Sequence, residues 1–169
     1  MGDPSKEQLP QTFNVRYLGC KRAKGLWGIR HTRKPVDELV AEAKSQLGPP
    51  AQFRVSSDGC SLANPTLDFP IATISYGVQD LVYTRVFAMI LVRPKTPFEC
   101  HGFVCENKQA ARRLTYCLAA AFQEYSDAVR KTTSRVLRPD PALSLPKFAI
   151  DLRTPEELAA DYKAQDSEA

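Results

Sequence analysis

The sequence predicts an α+β fold: an antiparallel β-sandwich or open barrel capped by one long C-terminal helix, with an extra helix between the first two strands. Three patterns carry this. Several short segments alternate apolar and polar residues, the period of a strand with one buried face. Ala111, Leu114, Leu118, Ala121, Phe122, Tyr125 and Val129 recur at three- and four-residue steps, which is one face of an α-helix. A shorter helical pattern opens at Pro35, with Asp37 and Glu38 near its positive end. One helix closing a small β-structure leaves a groove where it crosses a sheet edge, and such a groove takes an extended peptide as an added strand. The expectation is a binding module.

The elements follow in order. Residues 1–11 are polar and Pro-containing, a tail. In FNVRY, Phe13, Val15 and Tyr17 share one strand face, and Gly19 lets the chain leave it. KRAKGLWGIRHTRK reads as a basic loop, followed by a helix over 36–46 that Gly48-Pro49-Pro50 stops. Ser57-Asp58-Gly59 between QFRVS and CSLAN is a hairpin signal, and Asn64-Pro65 marks another turn. Residues 71–78 read as a strand with Ala72, Ile74, Tyr76 and Val78 on one face and Thr73, Ser75 and Gly77 on the other. VFAMILV is apolar throughout, as in a strand buried on both faces. It is far too short to span a membrane. A strand over 98–105 precedes the long helix over 107–131. Thr154-Pro155-Glu156-Glu157 has the form of a capping box, so a short helix is expected after it. The domain is thus expected over 12–131, a linker over 132–153, and a short helix with an acidic tail over 154–169.

A chain of 169 residues with 43% apolar content fits one domain with a real core. Its net charge is only +4, but between Gln8 and Val36 there is no acidic residue, while Arg16, Lys21, Arg22, Lys24, Arg30, Arg33 and Lys34 are basic. Such a patch suits an anionic partner, phosphoinositide headgroups or phosphates; the plain alternative is a solvated face. Trp27, in the same glycine-containing segment, either packs over a sheet edge or dips into a membrane interface. The five cysteines are odd in number, form no CxxC and follow no signal peptide, which predicts a reduced, intracellular protein. Lys6 stands where N-myristoylation needs Ser or Thr.

Catalysis is not expected. Cys100 and His101 are adjacent in a strand and point to opposite faces, so they form no dyad. Cys100, His101 and Cys105 lack a fourth ligand and metal-site spacing. No cofactor, metal or nucleic acid is expected, and the chain reads as a monomer.

Taken together, the segments resemble the phosphotyrosine-binding (PTB, or PID) domains of the Disabled, Numb and LDL-receptor-adaptor type, on the pleckstrin-homology superfold. FNVRYLG resembles that family's opening F-x-V-x-Y-L-G, and RVSSDGCSL its hairpin. ISYGVQD with VFAMI, FECHGFVC and AAAFQEY resemble its I-S-[YF]-x-x-x-D, C-H-x-F and A-F-Q segments. The likeness covers about residues 12–131, in order.

The resemblance implies an adaptor that binds NPxY-like receptor tails by strand addition, with the peptide antiparallel to the strand holding Ile74, Ser75, Tyr76, Gly77 and Val78. Ala119, Phe122 and Tyr125 of the closing helix would touch it, although helical spacing alone reads Phe122 as core and leaves Tyr125 and Ala121 divided between core and groove. The tyrosine would sit near Val92, Arg93 and Lys95, with an unphosphorylated or phosphorylation-indifferent tyrosine preferred and Arg93 or Lys95 available to neutralise a phosphate in the alternative. Lys21, Arg22, Lys24, Arg30, Arg33 and Lys34 would bind phosphoinositide. The implied place is cytoplasmic, peripheral at the inner face of the plasma membrane or endosomes, with roles in endocytosis or signalling. The alternatives are a phosphoinositide-binding module whose groove is vestigial or filled by the chain's own tail, and a scaffold for a non-NPxY peptide.

Overall fold

The structure, a computed structural model, describes residues 9–25, 28–43, 49–63, 66–93, 95–134, 149–151 and 154–160. Trp27, Gly48, Asn64-Pro65 and the acidic tail lie outside the described residues, as do the side chains of Arg30 and Val129. In chain order the elements are β1 (Gln11–Arg22), α1 (Ile29–Ala43), β2 (Pro50–Ser56), β3 (Gly59–Ala63) and β4 (Leu67–Pro70). A 3₁₀ turn (Ile71–Thr73) leads into β5 (Ile74–Gln79), β6 (Val86–Leu91), β7 (Glu99–Cys105), α2 (Lys108–Ser134) and β8 (Ala149–Asp151). A short helix, α3, covers 155–160. The strands form one sheet in the order β4-β3-β2-β1-β7-β6-β5-β8. The β5–β8 pair is parallel and the others are antiparallel. The predicted α+β class holds, with its closing helix and the helix between the first two strands.

The sheet is buried on both sides at β5 and β6, while β2 exposes alternate residues. On the inner side Phe53, Phe69, Phe87 and Phe103 pack with Ala111, Leu114, Leu118, Ala121 and Phe122 of α2. Phe53 meets Phe103 edge to face at 4.7 Å between centroids, a favoured aromatic geometry. On the outer side Val36 of α1 packs with Tyr76, Val78, Val86, Ala88 and Ile90. The apolar run of β6 is thereby explained: Phe87, Met89 and Leu91 face inward while Val86, Ala88 and Ile90 face outward. The hairpin forms as expected, with Ser56 opposite Gly59. Gly59 has φ +137°, and a Cβ there would lie 2.4 Å from the Phe69 carbonyl oxygen, so only glycine fits.

Several elements differ from the sequence reading. β1 runs on to Arg22 through an irregularity between Tyr17 and Gly19, so part of the expected basic loop is strand. α1 begins at Ile29, with Pro35 inside it. The first turn is held despite the proline because Thr32 and Arg33 are buried and Arg33 is bonded to Asp37 and Asp80. β4 pairs with β3 where no strand was expected. Residues 71–73 form a turn instead of strand, and a register shift between Ile74 and Tyr76 turns these two to opposite sides of the sheet. β8 lies within the expected linker.

Candidate functional site

The groove follows from the end of the sheet. β5 has β6 on one side and, on the other, only the three-residue β8. α2 lies across the inner face of β5, with the Leu118 side chain over Gly77. A Cβ on Gly77 would lie 2.8 Å from Leu118 Cδ2, 3.2 Å from Ile150 Cδ1 and 3.3 Å from Phe87. A larger residue would force the Leu118 side chain, which caps this position, to move. Ser75 is buried, and its hydroxyl donates to the Ile90 carbonyl at 3.3 Å.

The side chains expected to meet a peptide are divided by the structure. Ile74 is in the inner core, whereas Tyr76 and Val78 lie on the outer side with Val36. Phe122 is 1% exposed inside the inner core, so the core reading holds for it with β8 in place. Ala119 and Tyr125 are half-buried and Tyr125 packs on the inner core. Gly77 and Leu118 mark the floor of this edge, and the core-like spacing of Leu118 concealed its place there.

Residues 149–151, within the segment expected to be linker, lie along this edge of β5. Tyr76, Gly77 and Val78 are opposite Ala149, Ile150 and Asp151. Ile150 packs on the inner core. Beyond it the capping box forms as expected: the Thr154 N–H donates to Glu157 Oε1 at 3.0 Å, and the Glu157 N–H to Thr154 Oγ1 at 3.2 Å. It places Leu158, which is fully buried, on the outer side with Tyr76 and Val78.

At the start of β5, the Val92 N–H donates to the Thr73 carbonyl at 2.7 Å. The loop carrying Arg93 and Lys95 therefore stands at that end of the groove, with both side chains exposed. Arg93 lies 3.9 Å from Glu99.

The basic residues are also divided. Arg22, Lys24, His31 and Lys34 line a cleft of about 310 Å³ together with Pro35 and Glu38. Lys21 is paired with Glu42 on the exposed side of α1. Arg33 is not part of the basic face. Its guanidinium is turned inward, 2.6 Å from both Asp80 and Asp37. Burial opposes its charge, but the two carboxylates outweigh burial and hold it protonated above the ordinary arginine value.

Cysteine and histidine chemistry resolves into packing. Cys100 is in the outer core, where burial pushes its thiol up to about 12, while His101 faces inward against Phe69. A group the sequence did not suggest comes together across β1 and β7: Cys20, Glu99 and His101 bring donor atoms within 4.8 Å of one another. Cys20 and His101 are opposite in register, a pairing that only the fold reveals. The Tyr17 hydroxyl lies 2.8 Å from His101 Nδ1, and Glu99 lies 3.3 Å from Nε2. Burial and then Glu99 push the Cys20 thiol up, keeping it protonated. With Arg93 also beside Glu99, the group acts as a polar clamp between strands.

Comparison with known proteins agrees with this geometry. The family model of the phosphotyrosine interaction domain (PTB/PID) matches residues 30–131. Low density lipoprotein receptor adapter protein 1-A of Xenopus laevis is 30% identical over 120 residues, 66% of this chain and 38% of that protein. Low density lipoprotein receptor adapter protein 1 of Mus musculus is 29% identical over the same length, covering 39% of that protein. The chain thus spans well under half of these relatives. The solution structure of the C-terminal phosphotyrosine interaction domain of APBB2 from mouse superposes with a TM-score of 0.56 and 25% identity, over 72% of this chain and 92% of that one. With a family model over more than half its length and a matching fold, the chain belongs to the phosphotyrosine interaction (PTB/PID) domain family.

Proposed function

We propose that this domain is a non-catalytic adaptor that binds an NPxY-like receptor tail as an added strand along β5 and against α2. The single observation that carries the reading is β8. The outer edge of β5 already accepts an extended segment and seats its aliphatic side chain against Gly77 and Leu118. A receptor tail would use the same backbone groups, running antiparallel to β5, with its tyrosine near Val92, Arg93 and Lys95. The Arg93 guanidinium is partly engaged by Glu99, which favours an unphosphorylated tyrosine. The basic cleft of Arg22, Lys24 and Lys34 would dock on phosphoinositide headgroups, keeping the adaptor at the cytoplasmic face of the plasma membrane or endosomes. The low density lipoprotein receptor in the names of its relatives supports a role in endocytic coupling.

The test is a titration of one receptor-tail sequence in three forms: NPxY, phosphorylated NPxY and NPxA. The reading expects NPxA to bind at least tenfold more weakly than NPxY, with phosphorylation changing little. Equal binding of all three forms would remove the NPxY reading and leave a scaffold for another peptide. A second reading, a lipid module whose groove is closed by its own tail, is favoured by the occupied β5 edge. It expects phosphoinositide vesicles to bind and every tail peptide to fail.

A further inference from the structure

We infer that residues 149–151 and 154–160 form a strap that occupies the peptide groove in cis and must leave before a receptor tail can enter. The inference rests on β5 being the peptide edge, as proposed above, and concerns what holds that edge closed. The strap grips β5 from both sides. Ile150 reaches the inner side, 3.2 Å from where a Gly77 side chain would begin, and packs on the inner core. Leu158 is fully buried on the outer side against Tyr76 and Val78. The reciprocal Thr154–Glu157 bonds start the turn of helix that presents Leu158.

The grip is built to compete and also to yield. The ladder is three residues long and parallel, a pairing slightly weaker per residue than an antiparallel one. A longer tail running antiparallel would make more backbone bonds along β5. Against this, the strap is tethered to α2, so it competes at an effective concentration of about millimolar for short connections. A tail must therefore bind well, or arrive with a second attachment, to displace it. Membrane docking through the basic cleft would supply such an attachment.

The experiment measures amide hydrogen exchange of Tyr76, Gly77 and Val78 in the whole chain, in Leu158→Asp and in Ile150→Asp. Either substitution buries a carboxylate at an anchor, so each should open the strap. Faster exchange confined to β5 and the strap is expected, with the cooperative melt of the rest retained. Two variants are used because one of them could disturb the core. A synthetic peptide of residues 145–163 is then added in trans to an opened variant. It should restore protection of β5, and an NPxY tail should bind the opened variant at least tenfold more tightly than the unaltered chain. Unchanged exchange in both variants, or failure of the trans peptide to restore protection, overturns the strap. If the trans peptide binds but no NPxY tail does, the strap stands and the receptor-tail reading falls.

Discussion

At the scale of single residues, charge burial decides more than the sequence suggests. Arg33 stands in a basic run, yet it ends 2.6 Å from Asp80, which has no exposed surface. Asp80 Oδ2 also accepts from the N–H groups of Val82 and Tyr83, so one carboxylate fastens the β5–β6 turn and α1 together. Asp80→Asn should therefore cost about 3–5 kcal/mol in urea unfolding, because it leaves the guanidinium buried and only half paired. A loss below about 1 kcal/mol would show the pair to be solvated. His101 makes a second prediction. Burial lowers its pKa from 6.5, against the smaller raising effect of Glu99. The folded state thus binds fewer protons than the unfolded chain. Its contribution is complete above pH 6.5 and is lost as pH falls through the lowered folded value. Thermal midpoints measured from pH 7.5 down to pH 5 should fall, and His101→Gln should flatten that fall. Parallel profiles for the two proteins would exclude His101 as the cause.

At the scale of elements, the groove depends on how closely a helix can approach a strand. Gly77→Ala places a methyl group 2.8 Å from Leu118 Cδ2. A cost of about 1 kcal/mol is expected in denaturant unfolding, together with weaker tail binding, as the Leu118 side chain is displaced. Unchanged stability and unchanged binding would mean that α2 does not set the groove. Most elements here were legible from local pattern. The 3.6-residue spacing of α2, the Asp58-Gly59 turn and the apolar run of β6 each reflect one dominant local force. The misses share a different cause. α1 runs back through Pro35 to Ile29 because a distant carboxylate, Asp80, holds its first turns. The two-faced β5 arises from an irregularity against β6, which no strand shows alone. β8 was invisible because three residues gain strand geometry only from the edge they meet. A groove filled by the chain's own tail was one of the alternatives the sequence left open, but the segment that meets β5 was not legible. Phe122 illustrates the limit: its helical spacing fits core and groove equally, and only packing places it at 1% exposed.

At the scale of the whole molecule, two surfaces stand apart in kind. The β5–α2 groove is apolar, and the cleft of Arg22, Lys24 and Lys34 is cationic. Reversing these three charges to Glu should weaken sedimentation with phosphoinositide vesicles by at least tenfold at low salt, with smaller effects at physiological salt. Each basic residue near such a surface contributes about 1 kcal/mol, so the triple change is well above detection. Tail binding in solution should be unaffected. Loss of tail binding with retained vesicle binding would reverse the two assignments. The central claim is that the tail is held as a strand, through its backbone. The most direct measurement compares a tail peptide with the same peptide N-methylated at alternate residues before the NPxY, on the Leu158→Asp background. Methylation keeps every side chain and removes the N–H groups that a ladder needs. The account predicts at least a tenfold loss when the methylated amides face β5, and little loss when they face away. Equal affinity for all three peptides would contradict it.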